Sequence, residues 1–102
     1  MAKTKGVRVH FVARDNGPER LLTEAEIHFE EGPLAGTRLV GFCLWRSVEG
    51  EVYVTFPSRA FGAGTERRYF DYLRAIDSDA ETVKRVKAWI LDEYRRAGEE
   101  AA

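Results

Sequence analysis

The sequence predicts an α+β fold, in which an antiparallel sheet of about five strands has one C-terminal helix packed on one face. Two observations support this prediction. Five runs of alternating or β-branched apolar residues, separated by turn residues, occupy the chain up to residue 76. One run with helical spacing of its apolar residues follows them. Because 102 residues have room for one hydrophobic core, we expect a single domain over residues 1–102, with flexible ends at about 1–5 and 98–102.

The first two predicted strands cover residues 7–12 and 21–29. In the first, Val7, Val9 and Phe11 fall on one face, and the second alternates apolar and polar residues in the same way. The turn-forming run Asp15-Asn16-Gly17-Pro18 separates them. This pattern is typical of antiparallel strands with one buried and one wet face.

The third predicted strand, 37–46, is apolar on both faces, so we place it near the middle of the sheet. Because the helix covers only one side, its second face needs other cover, and we expect a homodimer contact to supply it. The two predicted faces carry Val40, Phe42 and Leu44 on one side and Leu39, Cys43 and Trp45 on the other.

The fourth predicted strand covers residues 52–56, and Pro57 ends it because proline lacks the N–H that a ladder requires. The glycine-containing segment 58–66 is interpreted as a mobile loop, and residues 68–76 as the fifth strand.

The helix follows, with Ser78 and Glu81 spaced as a capping box at its start. Trp89 shares the apolar side with Val86, which predicts that Trp89 is a core anchor. Ala97-Gly98 indicates where the helix ends.

Composition narrows the function classes. The net charge is −1, from 16 basic and 17 acidic residues, so a nucleic-acid-binding role would require local clustering of the basic groups. The single cysteine favours a reducing compartment. The first residues do not resemble a secretory signal, and no run approaches the roughly 20 apolar residues of a membrane span. We therefore expect a soluble, cytoplasmic protein.

Few residues suggest catalysis or metal binding. His10 and His28 are expected to lie near each other and near Glu26, but a stable zinc site needs three or four ligands, so we interpret them as exposed, structural residues. Cys43 is interpreted as a small apolar residue of the core. Paired carboxylates, an activated serine and a metal-ligand cluster are all missing from the sequence pattern. We expect no enzyme activity, no cofactor and no metal.

One group of basic residues flanks the glycine-containing segment. Arg59 lies at its start, after the end of the fourth strand, and Arg67-Arg68 stand at the start of the next strand, so strand pairing would gather the three side chains into one positive patch at an end of the sheet. Arginines among aromatic residues suit phosphate contact combined with base stacking. The alternative is that these arginines pair with Glu66 and Asp71. The neighbouring aromatic residues are Tyr69, Phe70 and Tyr72.

A second basic group, Lys84, Arg85 and Lys87, lies on the helix. The spacing of Glu81 and Arg85, like that of Asp92 and Arg96, also suits ion pairs between residues four apart. The sequence therefore leaves open whether this helix face binds a partner or is only solvated.

Most of the chain resembles a known family, by the order of its elements and by one motif. The run Gly50–Arg59 is a hydrophobic strand that follows a glycine and ends in Pro-Ser-Arg. A loop, the aromatic and acidic segment Arg68–Asp71 and a helix ending in Glu93-Tyr94 come after it. This order resembles the stage V sporulation protein G (SpoVG) family of short bacterial proteins, over residues 7–96.

The resemblance implies a regulator that binds DNA or RNA and dimerises through its sheets. It draws attention to Arg59 and to the helix residues Lys84, Arg85 and Lys87. Two hypotheses follow. The first is a homodimeric nucleic-acid-binding regulator, and the alternative is a non-enzymatic module that binds a protein partner through an exposed sheet edge.

Overall fold

The computed structural model describes residues 5–13 and 17–101, with side chains as far as Gly98. The predicted α+β class is confirmed: four strands form an antiparallel sheet, two further strands form a second sheet, and one C-terminal helix packs against the first. In chain order the elements are β1 (Val7–Val12), β2 (Leu21–Phe29), β3 (Arg38–Arg46), β4 (Val52–Thr55), β5 (Ser58–Phe61), a 3-10 turn (Gly64–Glu66), β6 (Arg68–Asp71) and α1 (Ala80–Ala101).

The main sheet has the order β1-β2-β3-β4, with each strand antiparallel to its neighbours. The bounds of β1 and β2 agree with the sequence prediction, and β3 begins one residue later than predicted. Half of the predicted turn between β1 and β2, Asp15-Asn16, lies outside the described residues.

Helix α1 contacts β4 and β1 and so covers one face of this sheet. The largest fully buried side chains are Phe42 and Leu44 of the sheet and Ile90 of the helix. The predicted core anchor Trp89 is only partly buried, and Ile90, the next residue along the helix, takes the central place. A helix presents one stripe to a sheet, and Trp89 lies at the margin of that stripe.

A β-bulge in β3 corrects the predicted division of its faces. Ala25 lies opposite Phe42, whereas Ile27 lies opposite Leu39, so β3 contains one extra residue between these pairs. Gly41 occupies the bulge with a φ of 104°, which favours glycine. The extra residue turns Leu39 toward the core and leaves Val40 exposed, the reverse of the expected arrangement.

The prediction of five strands in one sheet is wrong. After β4 the chain leaves the main sheet at Pro57, and residues 58–71 fold back on themselves as the β5–β6 hairpin. The segment 58–66, expected to be a loop, therefore begins with a strand, and the strand expected over 68–76 ends at Asp71. The reversal is tight: Gly62 has a φ of 83°, and a Cβ there would lie 2.7 Å from the carbonyl oxygen of Glu66.

Both ends of the helix differ from the sequence prediction. Asp79, not Ser78, caps the first turn: its Oδ1 accepts a hydrogen bond of 3.0 Å from the backbone N–H of Glu81. Ser78 has a φ of 60°, in the turn that precedes the helix. At the other end, Gly98 does not adopt the left-handed conformation that often ends helices, and the helix continues to Ala101.

Candidate functional site

The β5–β6 hairpin stands apart from the rest of the fold. Its two strands contact mainly each other, and every residue from Phe61 to Phe70 is exposed. It is attached at its base, where the backbone N–H of Tyr72 donates to the carbonyl oxygen of Pro57 at 2.9 Å. Pro57 in turn lies against the Gly41 bulge of β3. The hairpin is thus fixed at one end and solvated on both faces.

One face of the hairpin consists of two arginines and two phenylalanines. In the register, Arg59 lies opposite Phe70, and Phe61 lies opposite Arg68. Because opposite residues and alternate residues of antiparallel strands share a face, all four side chains project from the same side. We call Arg59, Phe61, Arg68 and Phe70 the arginine–phenylalanine face. Arginine and phenylalanine alternate both along and across it.

The contacts within this face are direct. The rings of Phe61 and Phe70 meet edge to face, with centroids 5.3 Å apart. The guanidinium of Arg59 lies over the Phe61 ring, with Cζ 4.9 Å from the centroid, which is a cation–π geometry. Phe61 and Phe70 nevertheless stay 46% and 43% exposed. Rings of this size are usually buried, so this face has the character of an interaction surface.

Arg67 belongs to the other side of the hairpin. Its Cζ lies 5.7 Å from the ring centroid of Tyr69, which is also exposed. The three arginines predicted to form one patch at an end of the sheet are therefore brought into one small hairpin, but Arg67 lies on the opposite face from Arg59 and Arg68. The three arginines lie in one hairpin because β5 pairs with β6 and not with the main sheet. Arg67 directly precedes β6 in extended backbone, and successive residues of an extended segment alternate faces, so it lies on the other side from Arg68.

The hairpin arginines have no acidic partner within the described chain. No carboxylate there lies within ion-pair distance of Arg59, Arg67 or Arg68. The alternative interpretation, pairing with Glu66 and Asp71, is therefore wrong for these residues. Their guanidinium groups remain available to an anion.

The basic residues of the helix are more engaged. Lys84 pairs with Glu81 at 3.3 Å, and Arg85 donates to the hydroxyl of Thr82 at 3.2 Å. The Lys87 ammonium lies 5.2 Å from the ring centroid of Phe56, two residues before β5, and so occupies the base of the hairpin.

Within the described part of α1, the ion pairs of Lys84, Arg95 and Arg96 with Glu81, Asp92 and Glu93 join residues three apart, whereas a spacing of four was expected. Arg95 lies 3.2 Å from Asp92, and Arg96 lies 3.6 Å from Glu93. On a helix both spacings bring side chains together, so the sequence alone does not choose between them.

The two histidines meet on the main sheet, as predicted. The ring centroids of His10 and His28 are 5.2 Å apart, and His28 Nε2 lies 2.9 Å from Glu26 Oε1. Arg38 also approaches this carboxylate, at 3.4 Å. The hydrogen bond with His28 and the charge of Arg38 hold the pKa of Glu26 below its usual range, against the opposing effect of desolvation. Within the described residues, no group of three or more His, Cys, Asp and Glu side chains is placed to hold a metal ion.

The sheet face opposite the helix carries a partly apolar surface. Cys43, expected in the core, lies half-buried on this face. Its two neighbours in the sequence, Phe42 and Leu44, are buried on the core side of the sheet. Trp45 lies opposite Tyr53 in β4, and its indole N–H donates to the Thr55 hydroxyl at 2.8 Å. Tyr53 is exposed, as is Val40. We call this set the open face, and it consists of Val40, Cys43, Trp45 and Tyr53.

Sequence reasoning missed Phe61, the residue that links Arg59 to Phe70. A usable signal was present, because Arg59-Ala60-Phe61 and Arg68-Tyr69-Phe70 are short runs separated by a six-residue stretch with two glycines. That arrangement is typical of a hairpin with a longer loop. Because Arg59-Ala60-Phe61 was interpreted as part of a loop, its pairing with Arg68-Tyr69-Phe70 was not predicted.

Comparisons of the chain with protein-family models, curated proteins and solved structures gave no match. In the part of the chain that the structure describes, no helix is long and apolar enough to cross a membrane.

Proposed function

We propose that this chain is a SpoVG-like, non-enzymatic regulatory protein that binds nucleic acid as a homodimer, with the β5–β6 hairpin as its main binding element. One observation carries the proposal: the hairpin holds three arginines without acidic partners beside exposed aromatic rings. Arginine binds phosphate with two parallel hydrogen bonds, and its plane stacks on aromatic faces.

Local charge supports this assignment where bulk charge does not. Residues 57–74 contain four arginines and two acidic residues, although the whole chain has a net charge of −1. Phosphate contacts act over short distances at physiological salt, where the screening length is about 8 Å. A small basic element can therefore make phosphate contacts although the whole protein is nearly neutral.

The proposed homodimer uses the open face. Helix α1 covers only the other side of the main sheet, and the open face combines the exposed Val40 and Tyr53 with the half-buried Trp45. Pairing two copies of this face about a two-fold axis would bury the apolar side chains of both. A dimer would also present two hairpins to one nucleic acid, which raises the overall affinity.

The nucleic-acid proposal is tested by fluorescence anisotropy with labelled single- and double-stranded DNA and RNA over a range of salt concentrations. We expect affinity to fall steeply with salt. The triple variant Arg59→Ala, Arg67→Ala, Arg68→Ala should bind more weakly, with a flatter salt dependence, by about one unit of slope for each lost phosphate contact on duplex DNA. Its thermal stability should stay close to that of the wild type, because these side chains are exposed.

The matched control is Arg8→Ala, Arg38→Ala, Arg95→Ala, which removes the same charge from arginines that already have acidic partners. We expect this variant to bind much like the wild type. If the two triple variants behave alike, the hairpin is not the binding element, and Lys84, Arg85 and Lys87 become the next candidates. If the wild type binds no nucleic acid at low salt, the alternative of a protein-binding module is favoured.

The dimer is tested by light scattering at tens of micromolar protein. We expect twice the chain mass of 11.6 kDa. Tyr53→Arg places a charge in the open face and should give the monomer mass. Val48→Arg, at an exposed position in the β3–β4 turn, is the control and should leave the dimer intact. A monomeric wild type would refute the dimer without affecting the hairpin proposal.

A further inference from the structure

Resting on the proposed nucleic-acid-binding function, we infer that the arginine–phenylalanine face binds single-stranded nucleic acid by stacking unpaired bases on Phe61 and Phe70.

The face offers ring surface and positive charge at the same place. Phe61 and Phe70 are nearly half exposed although they contact each other, so each ring has an open surface. Base stacking on an aromatic side chain requires only such a surface, and it tolerates any base. Arg59 and Arg68 flank the rings in the register and can contact the phosphates on either side of a stacked base. With four residues in each strand, the face is roughly 13 Å long, room for a few nucleotides.

Arg59 is already positioned for this task. Its guanidinium lies over the Phe61 ring, 4.9 Å from the centroid to Cζ, and that contact restricts a side chain that is otherwise flexible. A guanidinium held by its plane keeps the N–H groups at its edge available to phosphate oxygens. Less conformational entropy is therefore lost when a phosphate binds.

Duplex DNA fits this face poorly. The bases of a duplex are already stacked on each other, and their edges in the major groove are recognised by side chains that donate or accept hydrogen bonds. Two of the four side chains here are phenylalanines, which do neither. A single strand, in contrast, exposes the flat surfaces of its bases.

The opposite face of the hairpin has different chemistry. Ser58, Ala60, Tyr69 and Asp71 share it by the strand register. Arg67, just before β6, also lies on this side over Tyr69, so the Asp71 carboxylate offsets its positive charge, and Tyr69 is the one aromatic residue among the four. The arginine–phenylalanine face carries two arginines, no acidic residue and two rings, whereas the opposite face carries one arginine, one aspartate and one ring. The arginine–phenylalanine face is therefore the one that fits an anionic strand with stacking bases.

The test compares three labelled probes of equal length: a single-stranded DNA, its duplex, and a single strand in which the central bases are replaced by abasic sites. We expect the intact single strand to bind at least roughly tenfold more tightly than either of the others, since stacking of each base typically changes affinity by about five-fold or more. The abasic strand keeps its phosphates, so it separates base stacking from charge.

The double variant Phe61→Leu, Phe70→Leu keeps apolar side chains of similar size but removes the flat rings. We expect it to lose roughly tenfold or more in affinity for the single strand, while the slope of log affinity against log salt stays the same. Val48→Ala, which shortens an exposed apolar side chain in the β3–β4 turn, is the control and should change neither quantity. Circular dichroism and thermal melting are used to check that the double variant is folded.

The outcomes distinguish the inference from the proposed function. Equal or tighter binding of the duplex, or wild-type binding of the single strand by the phenylalanine variant, would overturn the inference and leave a phosphate-binding hairpin. Equal binding of the abasic and intact strands would do the same. Failure of the wild type to bind any of the probes at low salt would overturn the proposed function as well.

Discussion

The main sheet and the β5–β6 hairpin are both antiparallel and both rich in aromatic residues, but they differ in how far those residues are buried. In the main sheet, Phe42 is fully buried beneath helix α1 and meets Phe56 edge to face at 5.4 Å. In the hairpin, Phe61 and Phe70 make the same kind of contact at 5.3 Å and remain nearly half exposed. The two ring pairs have the same geometry, but helix α1 covers only the pair in the main sheet.

This difference separates stability from binding within one small chain. A side chain contributes most to stability when folding removes it from water, which is the case for Phe42 and Ile90. A ring that folding leaves in water still has surface to give to a partner. We therefore expect changes in the main sheet to affect unfolding and changes in the hairpin to affect binding.

The largest expected effect tests this comparison directly. Phe42→Ala should lower the free energy of unfolding by about 3–5 kcal/mol, because it removes a fully buried ring. Phe61→Ala, the same substitution on the hairpin, should cost about 1 kcal/mol or less, since most surface substitutions have small effects. Urea denaturation followed by circular dichroism measures both. Equal losses would mean that the hairpin contributes to the core, and the comparison would fail.

A smaller effect is expected where the two regions join. Gly41→Ala combines a φ of 104° with a Cβ only 2.8 Å from Pro57 Cβ, so both the bulge and the base of the hairpin must shift. We expect a loss of about 2–3 kcal/mol in the free energy of unfolding. The control is Gly50→Ala, which has a φ of 89° but no atom within 4 Å of the added Cβ.

In Gly50→Ala, the backbone strain alone should lower the free energy of unfolding by about 1 kcal/mol. Amide hydrogen exchange should show faster exchange at residues 58–71 in Gly41→Ala than in Gly50→Ala. The same exchange pattern in both variants would indicate that Pro57 does not anchor the hairpin.

The smallest effect concerns pH and belongs to the main sheet alone. The hydrogen bond with His28 lowers the pKa of Glu26 in the folded state, so the ionised carboxylate stabilises the fold. That contribution is fully present above the ordinary pKa of 4.5 and is lost as pH falls through the lower folded value. Glu26→Gln should therefore show a flatter fall of the melting temperature below pH 4.5. Glu49→Gln, in the exposed β3–β4 turn, should follow the wild type, and a wild-type profile in Glu26→Gln would contradict the assignment.

The main sheet could be predicted from the sequence because its strands alternate apolar and polar residues. Val7, Val9 and Phe11 mark β1, and β2 follows the same period, so both strands were predicted with their observed bounds. The meeting of His10 with His28 follows from that alternation and from antiparallel pairing. Where the local pattern and the tertiary pairing agree, the periodicity of apolar residues is sufficient to predict the strands and their neighbours.

The remaining features depend on contacts that the local pattern does not encode. The bulge at Gly41 exchanges the faces of Leu39 and Val40, and it is accompanied by the approach of Pro57, which is distant in sequence. The observed helix cap is Asp79, whereas Ser78 was predicted. Both residue types can cap a helix, and the backbone conformation, with a φ of 60° at Ser78, determines which one does.

For the candidate site, the sequence analysis named the three arginines but not Phe61, and it did not predict how they are arranged. Arg59, Arg67 and Arg68 were identified from their flanking positions, yet their distribution over two faces depends on the pairing of β5 with β6. A strand of four residues gives too short a run for periodicity to separate it from a loop.

The most direct test of the account is a two-dimensional ¹H–¹⁵N NMR titration of the full chain with a short single-stranded oligonucleotide. Backbone amides report binding at every non-proline residue at once, so the spectrum shows which region is contacted. We predict that the chemical-shift changes concentrate in residues 58–72, with smaller changes near Lys87 at the base of the hairpin, while the open face and the histidine pair stay unchanged. Changes concentrated on the open face or along the exposed side of α1, with residues 58–72 unaffected, would contradict the assignment of the hairpin as the binding element.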